Sequence, residues 1–144
     1  MLKDEHYIID LCDHALDMTA LRQHRFDFLH GDPGKLGNCR RLPVDAFYPA
    51  LNLVIEYRER QHSEAVAIMD RRDTISGCKR GEQRRRYDAR RRSRLPAHGI
   101  TLVELDYSMF THDKQKKLLR DSAADAAVIA TALNGVTAPS LRVG

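Results

Sequence analysis

The chain lacks any cysteine pairing pattern. Cys12, Cys39 and Cys78 are odd in number, widely spaced and without a C-x-x-C pair, which argues against a disulfide framework and a compact zinc site and leaves reduced structural thiols. Long apolar runs are also missing. None approaches the roughly 20 residues a membrane span needs, and the first residues, MLKDEHYIIDLCDH, are too acidic for a secretory signal, so a cytoplasmic protein with no membrane partner is expected. There are no internal repeats and no Pro/Ser-rich linker. At 144 residues the chain supports one sizeable core rather than two. A single domain over 1–144 is expected, with its core over about 25–110 and a C-terminal helix over about 113–133.

What is present is charge. Hydrophobic residues make up 42% and charged residues 31%, the composition of a soluble globular domain with a heavily charged surface. The net charge is +4, and it is unevenly placed. Lys79 to Arg94, KRGEQRRRYDARRRSR, holds nine basic residues against Glu82 and Asp88, or +7, so the remainder of the chain sums to −3. Such a stripe is the footprint of a phosphate-backbone partner. The plainer alternative is a solvated helix face, although nine like charges in sixteen positions repel one another and need compensation.

Periodicity orders the elements. Ile8, Leu11, Ala15, Leu16 and Leu21 fall near helical spacing and predict a helix over about Asp4 to Met18. RFDFLHG, from Arg25, alternates and ends at a Gly-Asp-Pro-Gly turn, the mark of a first strand. Strands follow over about Pro43 to Tyr48 and Leu53 to Arg58. SEAVAIM is consistent with either a helix or a strand, and DRRDTISGCKRG with a polar loop. The Arg-rich stretch has good helix formers from Glu82 to about Leu95 and no breaker until Pro96, with Gly99 closing it. GITLVELDY is a fourth strand, an alanine-rich helix covers about Asp113 to Leu133, and the tail looks frayed. The sum is an α/β fold, an early antiparallel meander in a mixed sheet flanked by helices.

Two acids interrupt this pattern. With Pro49, Ala50, Leu51 and Asn52 as the hairpin loop, Tyr48 faces Leu53, Phe47 faces Val54, Ala46 faces Ile55, and Asp45 faces Glu56. Like charges directly opposite one another are destabilising. Period two places Asp45, Glu56 and Arg58 on one face, and Val44, Ala46, Tyr48, Leu53, Ile55 and Tyr57 on the other, which reads as core. Three explanations compete: a strand end with a surface ion pair, a carboxylate pair sharing a proton, and a site for Mg²⁺ or Mn²⁺, whose hard-oxygen preference two adjacent carboxylates satisfy.

Pro43-Val44-Asp45, followed eleven positions later by Glu56-Tyr57-Arg58, resembles the PD-(D/E)XK nuclease motif. RFDF before it and LPAHGITLVEL after it are similar to the branch containing very-short-patch-repair-like endonucleases and their small relatives. The resemblance covers about Arg25 to Phe110. It implies a restriction-endonuclease-like αβββαβ core, metal-dependent cleavage of DNA phosphodiesters, and Asp45 and Glu56 as ligands of Mg²⁺ or Mn²⁺. The chain departs from the motif at its third position, where Arg58 replaces the usual Lys. Arginine stays protonated and can stabilise phosphate charge, but it is a poor general base. Relatives on this branch place polar residues just after the motif, and here Gln61 could orient a water and His62 could move a proton. Arg84, Arg85, Arg90 and Arg91 would hold backbone phosphates without sequence preference. Tyr87 reads as the inward-packing residue of that helix, and Asp4 or Glu5 as a candidate third carboxylate. The rival functions are a catalytically inactive nucleic-acid-binding module on the same fold and an interaction subunit with an acidic partner. Monomer and homodimer are both open.

Overall fold

The computed structural model describes residues 3–34, 36–59 and 80–137. Helix α1 (Asp4–Leu16) carries Asp4 and Glu5 in its first turn, where they complement the helix dipole. It stops two residues before the expected Met18, because Asp17 adopts a left-handed conformation and the amides of Asp17 and Met18 bind the last carbonyls. Strand β1 (Leu21–Pro33) begins earlier than its aromatic core suggested. Leu21, expected to follow the helical spacing, instead opens this strand.

β1 pairs antiparallel with β2 (Cys39–Tyr48), and β2 antiparallel with β3 (Leu53–Arg58). The β2–β3 connection is a 3-10 turn, Pro49–Leu51, closed by Asn52 at φ +47°. Its register is the expected one: Tyr48↔Leu53, Phe47↔Val54 and Ala46↔Ile55. Helix α2 (Arg80–Ala97) precedes β4 (Thr101–Asp106), which lies parallel to β3 from Leu53↔Thr101 to Arg58↔Asp106. The result is an α/β fold with a four-stranded mixed sheet in the order β1-β2-β3-β4 and three helices among the described residues. None of these helices is long and apolar enough to cross a membrane.

Helix α3 (Ser122–Thr137) starts well after the expected Asp113. The Asp113 carboxylate accepts the amides of Gln115 and Lys117 and closes a turn instead, and Asp121 caps the helix by accepting the amide of Ala124.

Both sheet faces are covered. On one, Ile8, Ile9 and Cys12 of α1 and Ile129 and Leu133 of α3 pack on Ala46, Tyr48, Leu53, Ile55, Tyr57 and Leu105. Fully buried Asp125 ties this layer together by accepting from Tyr7 Oη at 2.6 Å and from the Thr111 amide at 3.1 Å. On the other face Leu95 of α2 meets Leu29, Val54 and Ile100, flanked by Phe26, Phe28, Phe47 and Tyr87. Leu42 and Val44 join this second cluster, although alternation alone grouped Val44 with Ala46 and Tyr48. The β1–β2 register shifts between Arg25 and His30, and such a bulge bends and twists the hairpin, redirecting its far end. The face expected to present open carboxylates is therefore roofed by α2.

Tyr87 packs inward as expected. Its hydroxyl accepts the Asp32 amide at 2.9 Å, and its ring lies against Gly31, where an added Cβ would sit 2.9 Å from Tyr87 Cζ and 3.1 Å from Leu42 Cδ2. The rigid, hydrogen-bonded ring has little room to yield. Gly31→Ala is expected to destabilise the fold by about 1–3 kcal/mol, read as a lower urea midpoint at unchanged slope. An unaltered midpoint would show that α2 is not seated on β1 through this contact.

Candidate functional site

Asp45 and Glu56 occupy a fork. β2 and β3 are hydrogen-bonded partners only up to Ala46↔Ile55, after which β3 keeps β4 as its neighbour and β2 keeps β1. Pro43, which has no amide to contribute to a ladder, lies beyond that last pair. The acids bridge the opening crosswise. Glu56 Oε2 accepts the Asp45 amide at 2.5 Å, and Asp45 Oδ2 accepts the Tyr57 amide at 2.8 Å. Side-chain oxygens thus satisfy backbone donors that the separating strands no longer pair.

Holding two carboxylates this close inside the protein raises their proton affinity. Burial, followed by the charge of Glu5, pushes Asp45 up to about 6, against weaker lowering by the Tyr57 amide, Gln23 and Arg91. Burial, followed by the charge of Asp45, pushes Glu56 up to about 8, with Asp88 adding to it and Arg91 and the Asp45 amide opposing it. Both carboxyls are thus held above the usual carboxylate range, each by burial and then by the charge of a neighbouring acid.

Three consecutive arginines of α2 fan across the sheet above the fork. Arg90 turns to β1, with Nη2 at 2.6 Å from Asp32 Oδ1 and Nη1 donating to the His30 carbonyl at 3.2 Å. Arg91 turns to the fork: Nε lies 3.4 Å from Glu56 Oε1, Nη2 donates to the Pro43 carbonyl at 3.0 Å, and Nη1 pairs with Asp88 Oδ1 at 3.2 Å. The Arg91, Glu56 and Asp88 side chains are each 13% exposed, so these pairs are shielded from the screening that weakens surface bridges. Arg92 turns to β4 and binds Glu104 at 2.9 Å.

Arg58 belongs to the same network. Its Nε and Nη2 donate to Glu104 Oε2 at 3.0 and 2.7 Å, and Nη2 lies 3.3 Å from Asp88 Oδ2. Burial opposes ionisation of Glu104, but the hydrogen bonds from Arg92 and Arg58 prevail and hold its carboxyl below the usual range. Of the other arginines expected to meet phosphate, Arg84 is half-buried and Arg85 exposed on α2. Gln61 and His62 lie outside the described residues.

Of the two candidates for a third carboxylate, Glu5 is linked to Asp45 through Gln23 and Asp4 is not. Gln23 Nε2 donates to Glu5 Oε2 at 2.9 Å and to Asp45 Oδ1 at 3.4 Å, while Asp4 pairs with Arg120 at 2.9 Å. Gln23 holds a left-handed φ of +53°, a backbone cost that non-glycine residues carry where the surroundings over-determine them. Gln23, Asp88 and Glu104 are site residues that the sequence reading missed. Only Glu104 left a signal, since VEL on β4 repeats the pattern of VIEY on β3, and the parallel register does place it beside Glu56.

Among the described residues no group of three His, Cys, Asp or Glu side chains could hold a metal ion. A two-carboxylate set nonetheless fits Mg²⁺ or Mn²⁺, because Mg²⁺ usually takes one or two protein carboxylates and keeps water and phosphate oxygens for the rest. The raised proton affinity of Asp45 and Glu56 marks a negative-charge excess that a divalent cation would offset. Comparison with family models, curated proteins and solved structures finds no match to this chain.

The pH dependence has a definite sign. Asp45 and Glu56 bind protons more tightly folded than unfolded, so the stability they contribute is full below the ordinary carboxylate range and is lost as pH rises through about 6 and 8. Glu56→Gln keeps an acceptor for the Asp45 amide and removes one acid. Its melting temperature relative to wild type is expected to climb steadily between pH 5 and 8. A pH-independent difference would mean that the two acids are not coupled.

Proposed function

We propose that the chain is a metal-dependent endonuclease hydrolysing DNA phosphodiester bonds, on a restriction-endonuclease-like core with the order αβββαβ. The observation that carries this reading is the crossed carboxylate pair at the strand fork, lying directly under the arginine helix. A nucleophile-activating site and a phosphate-binding surface need that juxtaposition, and a surface ion pair does not produce it.

Asp45 and Glu56 would hold Mg²⁺ or Mn²⁺. When bound, the ion activates a water and offsets charge on the phosphoryl oxygens. Glu56 would hold the ion in its ionised form. Arg91, whose guanidinium already sits at Glu56, stabilises the negative charge that develops beside it. Glu5, reached through Gln23, adds to the field that draws a cation to Asp45. Arg85 supplies exposed positive charge for the backbone, as Arg84 does closer to the roof. Arg58 does not act as a base; it braces Glu104 and Asp88, the acids that orient Arg92 and Arg91.

One observation favours the second reading, a catalytically inactive nucleic-acid-binding module. The guanidinium at the motif's usual Lys position is engaged by Glu104 and Asp88 through its Nε and Nη2. Supercoiled, linear and single-stranded DNA incubated with Mg²⁺, Mn²⁺ or EDTA separates the two. Cutting is expected with either metal and not with EDTA, and to fall about 100-fold or more in Asp45→Ala and Glu56→Ala, with Mn²⁺ raising the melting temperature of wild type alone. DNA binding without cutting, equal in wild type and both variants, would transfer the protein to the binding-module class.

A further inference from the structure

The other side of α2 carries a feature that the acid fork does not use. Arg90 and Arg94 stand four residues apart on one flank of α2, which brings such side chains about 5–6 Å apart, and His98 follows at the same spacing in the turn just past the helix end. Arg90 and Arg94 border a pocket of about 520 Å³ lined also by Phe28, His30 and Gly31, a volume within the usual range for small-ligand sites. At its end the exposed His98 ring lies flat on Phe28, with centroids 3.7 Å apart and planes at 14°. Phe28 is stacked in turn on Phe26 at 5.0 Å and 30°. The rings form a column of three that begins in the second core cluster and ends at solvent on His98.

This column is built to stay in place. The His98 amide binds the carbonyls of Arg94 and Leu95 at 3.2 and 3.0 Å, and Gly99, at φ +77°, turns the chain sharply after it. Phe26 and Phe28 are anchored by packing on the core beneath. A histidine ring presented flat at the end of an aromatic stack is a platform for another flat ring. The charge beside it selects which. Arg90 is compensated by Asp32, whereas the exposed Arg94 makes no ion pair among the described residues, leaving a cation one helical turn from the platform.

The geometry points to a subsite for an unpaired nucleotide of a DNA strand, its base stacked on the outer face of His98 and its phosphate held by Arg94. The inference rests on the nucleic-acid reading above and narrows it to strands with accessible bases, because a base inside a duplex cannot offer its face to His98. Base stacking on aromatic side chains is tolerant of sequence, in keeping with phosphate contacts that carry no sequence information.

The test is fluorescence anisotropy in EDTA, which keeps binding apart from cutting, with a labelled oligothymidine, the same strand made abasic at its central positions, and a duplex. His98→Ala is expected to weaken oligothymidine binding about tenfold and to leave the abasic strand and the duplex unchanged, while His98→Phe restores affinity. Arg94→Ala is expected to weaken the intact and abasic strands alike and to flatten the salt dependence by roughly one phosphate contact. Wild-type binding that His98→Ala leaves intact, or loses equally on the abasic strand, overturns the subsite and spares the broader reading. Absence of binding to any of the three probes at low salt overturns both. Sedimentation showing a wild-type dimer that His98→Ala dissociates would assign the surface to a second copy of the chain and overturn the subsite as well.

Discussion

The rest of the structure is arranged around the two carboxylates that face one another where β2 and β3 part. Two buried acids at a separating pair of strands would repel and stay unpaired without compensation. The fold supplies three kinds. Backbone amides of Asp45 and Tyr57 are turned onto the opposing carboxylates, a raised proton affinity lets part of the charge be neutralised, and Arg91 comes down from α2 onto Glu56. The placement of α2 over this face, the engagement of Asp88 and Glu104, and the setting of Arg58 follow from meeting that demand.

Networks of this kind add little net stability, since desolvating each ion costs about as much as the pairing returns. Apolar residues at the same positions would pack the roof over β3 and β4 more simply. The same reasoning separates the two faces of the sheet. The face under α1 and α3 is almost wholly apolar, and its buried acid, Asp125, is satisfied by three donors from Tyr7 and Thr111. That carboxylate is satisfied by neutral donors of the fold, whereas the carboxylates at the fork sit against a second acid and an arginine.

The hairpin was legible in the sequence because its loop chemistry and alternation agree: Pro49 opens the turn, Asn52 takes the left-handed position, and the register follows by counting. α2 and β4 were legible through their helix formers and the stop at Gly99. The N-terminal part of β1 was not, since Arg22, Gln23, His24 and Arg25 carry no apolar alternation, and their strand state comes from pairing with Pro43 to Phe47. The start of α3 was hidden by Asp113, whose carboxylate caps a turn where a helix N-terminus was expected. At the site, Asp45 and Glu56 stood out as acids within strands. Gln23 and Asp88 did not, because their roles depend on a strained backbone position in one case and on helix docking in the other, and neither leaves a local pattern.

Arg90, Arg91 and Arg92 each bind a different part of the sheet. A docked helix ordinarily finds its rotational setting through an apolar stripe, but α2 offers only Tyr87 and Leu95 as large residues for that purpose. The triplet therefore acts as a key cut to one angle. Successive helical residues differ by about 100° in direction, so inserting or deleting one residue between Tyr87 and Arg90 would hand each arginine its neighbour's acid while leaving composition and charge almost unchanged. Substitutions that spare these three contacts leave that angle unchanged, whereas a change in the length of α2 through this segment does not.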